Sequence, residues 1–276
     1  MFEKKCDRRS RSSDRKIGNA MPKLFIAAVI TLFWLLLLPN AAIADEFNCF
    51  QSGECPPPAL ADSKSCILNR DYTIEIDEVN GSDVVVISPH GGKIESHTSQ
   101  ITQDLAERYM WNRYDFSGHG STDCLSGLGN YARLHITSTN FDEPQALELV
   151  SSHPKSVAIH GYKKEREYPE GTICVGGGNK AQKSAFIDRI QDNQYAFPEY
   201  ELRAIDPTKP GSGKMCNDLK GQKAKNIVNR NSSKKGGLQL ELNIVMRKDL
   251  TKSGVAYDKL RDVFYGAIFQ TMNASE

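Results

Sequence analysis

Short apolar runs alternate with helical periodicity from Tyr72 to the end of the chain. The runs Val84–Ser88, Ser156–His160 and Thr172–Val175 are continuous and apolar, which is typical of strands buried on both faces. The run Leu134–Ser138 is predicted as a further strand. Apolar residues that recur every three or four positions predict helices around residues 101–109, 144–150, 181–190 and 255–268. Strands that alternate with helices indicate an α/β domain, an open mixed sheet with helices on both faces.

One later segment has the period of a strand with two unlike faces. Leucines at 238, 240 and 242 alternate with Gln239, Glu241 and Asn243. Glu241 is therefore a candidate general base on a polar strand face. A solvent-facing edge strand explains the same alternation equally well.

The first 44 residues differ from the rest in composition. Eight basic residues precede the apolar run Leu24–Leu38, and the small-x-small pattern of a cleavage site follows at Ala42–Ala44. We interpret residues 1–44 as a signal peptide, with an uncleaved anchor as the alternative. The protein is then secreted or periplasmic, without a stable membrane partner once the signal is cleaved. Residues 45–71 form a cysteine-containing extension, and 72–276 form the main domain.

Removal of the signal changes both the charge and the cysteine count. Subtracting eight basic and three acidic residues from 35 and 34 leaves 27 Lys and Arg against 31 Asp and Glu, a net charge of −4. That balance argues against nucleic acid as a partner. Six cysteines remain, and an even number in an exported chain predicts up to three disulfides. They are Cys49, Cys55, Cys66, Cys124, Cys174 and Cys216.

Two histidines lie at corresponding positions of predicted strands. His90 follows the strand Val84–Ser88 across one proline, and His160 closes its own strand. Carboxyl ends of strands are where open α/β sheets bind ligands. Glu95 follows His90 across a pair of glycines that allow a tight turn, and two histidines with one carboxylate are a ligand set of catalytic zinc. The alternative is that each is an ordinary hydrogen-bonded residue.

Two further patterns carry less weight. His135 begins a predicted strand, the wrong end for this site if the strands are parallel, so it would at most support a ligand. Gly176–Ala181 fits a phosphate-binding turn between a strand and a helix, but a tight strand-to-helix turn is favoured.

Several segments together are more specific than any one motif. They are SPHGGKIE at Ser88–Glu95, HITSTNFDEP at His135–Pro144, AIHG at Ala158–Gly161, VGGGN at Val175–Asn179 and GLQLEL at Gly237–Leu242. In this order they resemble the phage-type poly-γ-glutamate hydrolase family. The resemblance implies a carboxypeptidase-like zinc hydrolase core.

The family resemblance also implies an activity and a site. The activity is zinc-dependent cleavage of γ-glutamyl amide bonds in a polyanionic polymer or peptide. His90, Glu95 and His160 would hold one Zn²⁺ per chain, and Glu241 would act as general base.

Cations near the matching segments are candidates for binding substrate carboxylates. They are Arg133, Arg230 and Lys93, each of which is otherwise a surface charge. A monomer is expected. A cell-wall γ-glutamyl peptide as substrate, or a binding module without turnover, are the alternatives.

Overall fold

The computed structural model describes residues 66, 68–119, 133–162, 168–197, 200–210, 212 and 215–274. All of them lie in the compact unit Asp45–Glu276. The predicted signal, most of the cysteine-containing extension and Cys124 lie outside the described residues.

One mixed sheet of seven strands organises the described part of the chain. The strands are β1 Tyr72–Asp77, β2 Val84–Gly92, β3 Asn112–Gly118, β4 Lys155–Tyr162, β5 Thr172–Gly176, β6 Arg203–Ile205 and β7 Leu238–Asn243. Their order is β1-β3-β2-β4-β7-β5-β6. The neighbours β3, β2, β4 and β7 are parallel, whereas β1, β5 and β6 run the opposite way. The carboxyl ends of β2 and β4 therefore meet at one edge of the sheet.

Helices cover both faces of this sheet, as the sequence predicts. The helices are α1 Thr98–Tyr109, α2 Pro144–Ser152, α3 Lys180–Asn193, α4 Ile244–Leu250 and α5 Val255–Asn273. Because side chains alternate along a strand, Val84 and Val86 of β2 join one core and Val85 and Ile87 the other. The first core is closed by α1, α3, α4 and α5, and the second by α2 with loops. The second face therefore has room for a site.

The position of β7 decides between the two interpretations of its alternating pattern. It lies between β4 and β5, and all of its residues are buried. The edge-strand alternative is therefore wrong. The leucines face the larger core, and Gln239 and Glu241 lie on the opposite face beside β4.

The prediction of a strand at Leu134–Ser138 is wrong. The segment is a loop without strand pairing. Leu134 and Ile136 are both buried in the second core, which gives the loop the period of a strand. The strands that pair with β2 are β4 and β3, and the polar sequence of β3 gave no strand signal. Arg113 of β3 is buried and paired with carboxylates of β1.

A disulfide joins the sheet to a loop beside it. Cys174 of β5 is bonded to Cys216, at a sequence separation of 42. Cys174 lies opposite Glu241 in the β5–β7 register. Cys174 and Cys216 therefore form one of the structural cross-links that the sequence predicts. None of the described helices combines the length and apolar character needed to span a membrane.

Candidate metal centre

A tight turn after β2 brings Glu95 back to His90. The backbone N–H groups of Glu95 and Ile94 donate to the carbonyls of His90 and Gly91 at 2.9 and 3.3 Å. Gly92 has φ of 64°, in the left-handed region that favours glycine. The result is a distance of 2.9 Å between His90 Nδ1 and Glu95 Oε1, both buried. The carboxylate reaches the imidazole as the glycine pair predicts.

His160 reaches the same point from the end of β4. Its Nδ1 lies 3.2 Å from His90 Nδ1 and 3.4 Å from Glu95 Oε2. The next residue, Gly161, donates its backbone N–H to Glu95 Oε2 at 2.7 Å. The structure thus brings together the three residues expected to bind metal.

The Nε2 atoms of His90 and His160 each contact an oxygen atom outside the cluster. His90 Nε2 lies 2.6 Å from the carbonyl oxygen of Ile136, and His160 Nε2 lies 3.2 Å from Ser138 Oγ. Since a carbonyl only accepts, His90 carries its proton on Nε2, and its Nδ1 lone pair points toward Glu95 and His160. Metal-binding histidines are held in this way by a backbone carbonyl behind the ring.

These donors fit a zinc ion. Zinc–nitrogen bonds of 2.0–2.1 Å at tetrahedral angles place two ligand atoms about 3.3 Å apart. The distances of 2.9, 3.2 and 3.4 Å among His90, His160 and Glu95 cluster around that value. The Nδ1 lone pair of His90 and the Glu95 carboxylate repel each other in this buried site, and a cation bound between them would remove that repulsion. The donor set, two imidazoles and one carboxylate, is also that of catalytic zinc.

His135 also belongs to this cluster, which corrects its expected position. Its segment is a loop, so the argument from strand direction does not apply. His135 Nε2 lies 3.2 Å from Glu95 Oε1, and its ring packs edge-on against the His90 ring at 4.5 Å. Ligand atoms of His90, Glu95 and His135 all lie within 4.8 Å of one another. The His135 side chain is 41% exposed and that of His160 only 2%, so His160 is the more deeply buried of the two candidate ligands.

Burial and neighbouring charges shift the pKa values of Glu95, His90 and His160. Burial raises the pKa of Glu95, but His90, His135 and His160 outweigh it and hold that pKa well below its ordinary value. Burial lowers the pKa of His90 and outweighs the attraction of Glu95. For His160 burial also lowers the pKa, but the carboxylates of Glu241 and Glu95 overcome it and the pKa is raised.

Glu241 lies beside the cluster on the neighbouring strand. It pairs with His160 in the β4–β7 register, so both side chains project from the same face. Burial, with a further contribution from the Glu95 charge, raises its pKa to about 7. Gln239 Nε2 donates to Glu241 Oε1 at 2.9 Å. A buried carboxylate with a pKa near neutrality suits a group that takes up and releases protons.

A cavity of about 960 Å³ opens over these residues. On one side it is lined by His90, Glu95, His135, His160 and Glu241, and on the other by a loop, Asn217–Lys223, that we call the wall loop. The wall loop contributes the cations Lys220 and Lys223.

The cations proposed from the sequence lie elsewhere. Arg133, Arg230 and Lys93 are all described, and none of them lines the cavity. Arg230 Nε instead donates to the carbonyl of Lys225 at 2.9 Å.

Arg247 is a buried cation that the sequence pattern does not indicate. Its guanidinium packs so closely on Gly161 that a Cβ there would lie 2.3 Å from Arg247 Cζ. Its Nη1 donates to the Ser96 carbonyl at 2.5 Å. A side chain at position 161 would therefore have to displace the Arg247 guanidinium. Only the fold brings α4, which carries Arg247, against this turn.

The glycine-rich turn after β5 does not form a phosphate cradle. Its N–H groups are used within the protein: Gly177 donates to the Lys220 carbonyl, Gly178 to Asn229 Oδ1 and Asn179 to the Gly237 carbonyl. Their lengths are 3.0, 2.7 and 3.3 Å. The structure therefore supports the tight-turn interpretation.

The chain is similar in sequence to proteins of Bacillus subtilis. The chain is 33% identical over 238 residues to the UPF0714 protein YndL of Bacillus subtilis (strain 168), covering 86% of this chain and 80% of YndL. The SPbeta prophage-derived UPF0714 protein YoqZ of the same organism is 29% identical over 223 residues, covering 80% of this chain and 68% of YoqZ.

Solved structures share the fold. A bacteriophage poly-gamma-glutamate hydrolase superposes with a TM-score of 0.56 at 25% identity, covering 77% of this chain and 94% of its own. Zinc-free apo YndL superposes with a TM-score of 0.55 at 24% identity, covering 77% of this chain and 93% of its own. The sequence model of the family described as poly-gamma-glutamate hydrolase matches residues 61–267. The chain therefore belongs to the poly-gamma-glutamate hydrolase family.

Proposed function

We propose that this protein is a zinc-dependent hydrolase of γ-glutamyl amide bonds, with poly-γ-glutamate as its substrate. One observation carries the proposal: His90 Nδ1, His160 Nδ1 and the Glu95 carboxylate converge within 3.4 Å, and Glu241 lies in register beside His160. The description of YndL as zinc-free in its apo form supports zinc as the metal.

His90, Glu95 and His160 would hold the ion, with His135 supporting Glu95. When bound, zinc supplies a more acidic water molecule and polarises the carbonyl of the scissile amide. Glu241 accepts the proton of the attacking water as the C–O bond forms, and it donates that proton to the leaving nitrogen as the C–N bond breaks. Its raised pKa suits both steps.

The wall loop supports an anionic substrate. Each residue of poly-γ-glutamate carries a free carboxylate, and Lys220 and Lys223 place two ammonium groups on the cavity wall. Asp218 is the acidic member of the wall loop. The proposal includes export by residues 1–44 and action as a monomer outside the cytoplasm.

The test compares three proteins that lack residues 1–44: wild type, His160→Ala and Glu241→Gln. We expect about one zinc per chain in the wild type by mass spectrometry, and a fall in the chain length of poly-γ-glutamate by gel filtration. H160A should lose zinc and cleavage together. E241Q should keep zinc and lose cleavage by 10²-fold or more, as general acid–base residues do.

Each alternative gives a different outcome. Full zinc occupancy without cleavage of poly-γ-glutamate, but with release of glutamate from γ-linked cell-wall peptides, would change the substrate and keep the mechanism. Zinc and tight polymer binding without any turnover would identify a binding module. Absence of zinc from wild type after incubation with excess metal would refute the ligand assignment.

A further inference from the structure

A chain of buried amides leads from the cavity wall to Glu241. Asn226 Nδ2 donates to Gln239 Oε1 at 2.7 Å, and Gln239 Nε2 donates to Glu241 Oε1 at 2.9 Å. The three side chains belong to residues that are 2%, 4% and 6% exposed. Their side chains are thus shielded from bulk solvent although they line the cavity, and a low dielectric strengthens such bonds.

Asn226 determines which end of the Gln239 amide faces the carboxylate. An amide has an acceptor end and a donor end, and the donor end must face Glu241. The Asn226 amide is itself fixed, because its Oδ1 accepts the backbone N–H of Val228 at 3.1 Å. Its Nδ2 is thereby directed at Gln239 Oε1, which leaves Nε2 for Glu241.

Gly221 of the wall loop closes the remaining side of the Gln239 amide. A Cβ at Gly221 would lie 2.6 Å from Gln239 Oε1, and its φ is +56°. Asn229 Nδ2 holds this part of the chain by donating to the carbonyls of Gly221 and Lys223 at 2.7 and 2.9 Å. The Gln239 amide is therefore enclosed by the wall that lines the substrate cavity.

We propose that Asn226 and Gln239 are positioning residues that hold the Glu241 carboxylate in its catalytic orientation from the cavity wall. This inference rests on the proposed hydrolase activity. Asn226 acts through Gln239, and neither residue needs to touch the substrate or the metal. Loss of the correct amide orientation would place two oxygens, Gln239 Oε1 and Glu241 Oε1, against each other.

Asn226→Asp is the most informative variant. The aspartate keeps an oxygen for the Val228 N–H and replaces the donor toward Gln239 by an acceptor. Gln239 must then turn its amide, and Glu241 loses its hydrogen bond. Since hydrogen bonds to charged groups are the stronger ones, we expect kcat for poly-γ-glutamate to fall roughly 10- to 100-fold, with KM within about twofold and zinc content unchanged.

A double-mutant cycle separates positioning from a merely structural effect. Gln239→Met keeps the shape of the side chain and removes both polar ends. In the Q239M background, N226D should change kcat by less than about twofold, because the route to Glu241 is already broken. Asn193→Asp, at an exposed position at the end of α3, is the matched control and should leave kcat unchanged. An equal fall of kcat in both backgrounds would overturn the inference.

A measurement without substrate keeps the two proposals separate. The side-chain amide signals of Gln239, assigned by their loss in Q239M, should shift in the NMR spectrum when Glu241 is replaced by glutamine, and N226D should abolish that response. If wild type does not cleave poly-γ-glutamate, the proposed function fails while this response still tests the amide chain. If neither substitution shifts the Gln239 signals, the proposed chain of amide hydrogen bonds is refuted, whether or not the enzyme is active.

Discussion

His160 and Glu241 lie opposite each other in the register of β4 and β7. Residues paired in a parallel sheet project from the same face, so the imidazole and the carboxylate share one environment. Their interaction raises the pKa of His160 against the effect of burial. Because the two side chains project from adjacent central strands, the Glu241 carboxylate is held at a constant separation from the candidate metal site.

The exposure of the two histidines around Glu95 predicts different metal losses. We expect His160→Ala to reduce zinc to below about one tenth per chain, because it removes a buried ligand. His135→Ala should retain zinc with an affinity weakened about 10- to 100-fold, the effect of losing a partner behind a ligand. Zinc titration with a competing chelator checks both. Retained zinc in H160A with complete loss in H135A would exchange their roles.

The environment of Glu241 predicts the acid side of the pH profile. The base works only when ionised, so activity falls as pH drops through its pKa. Burial raises that pKa from 4.5 to about 7, and a cation bound beside it would lower it again. The acid limb of kcat/KM should therefore lie between pH 4.5 and about 7.

A second measurement tests the origin of that limb. The hydrogen bond from Gln239 lowers the pKa of Glu241. Gln239→Met should therefore move the limb to higher pH. A limb below pH 4.5 in wild type, or an unchanged limb in Q239M, would show that another group controls it.

The lysines of the wall loop predict a binding effect that depends on salt. Lys220→Ala and Lys223→Ala should each raise KM about 2- to 5-fold with little change in kcat, the size of a partly exposed ion pair. The difference from wild type should shrink at high ionic strength. Lys225→Ala is the control, since Lys225 is exposed on the same segment but does not line the cavity. Equal effects at all three positions would indicate general charge rather than a subsite.

The disulfide predicts a link between stability and substrate binding. A cross-link with a separation of 42 residues stabilises a fold by up to about 4 kcal/mol in the chain-entropy model. The Cys174→Ser/Cys216→Ser double variant should therefore unfold at a lower temperature. Because Cys216 directly precedes the wall loop, KM should rise more than kcat falls. A loss of stability without any change in KM would mean that the loop is held by its hydrogen bonds alone.

Local pattern and short motifs determined much of this protein. Continuous β-branched runs such as Val84–Ile87 become central strands because both of their faces are buried. Such a run can be recognised without knowing which strands lie beside it. The glycines after His90 predict a tight turn because glycine adopts the left-handed backbone found at Gly92 without steric cost. The metal-ligand candidates follow from these two local facts.

Tertiary structure alone decided what surrounds those residues. The sequence pattern did not predict β3, because its buried Arg113 depends on ion pairs with carboxylates of β1. That pairing cannot be seen in the local sequence. His135 contacts Glu95 from a loop in which alternate residues are buried, a pattern that the sequence alone cannot distinguish from a strand. Arg247 and Asn226 reach the site from segments with no motif, since their contacts depend on which strands become neighbours. The sequence by itself determined the candidate ligands, because ligand chemistry is local, and the fold decided their orientation, because orientation depends on packing between distant segments.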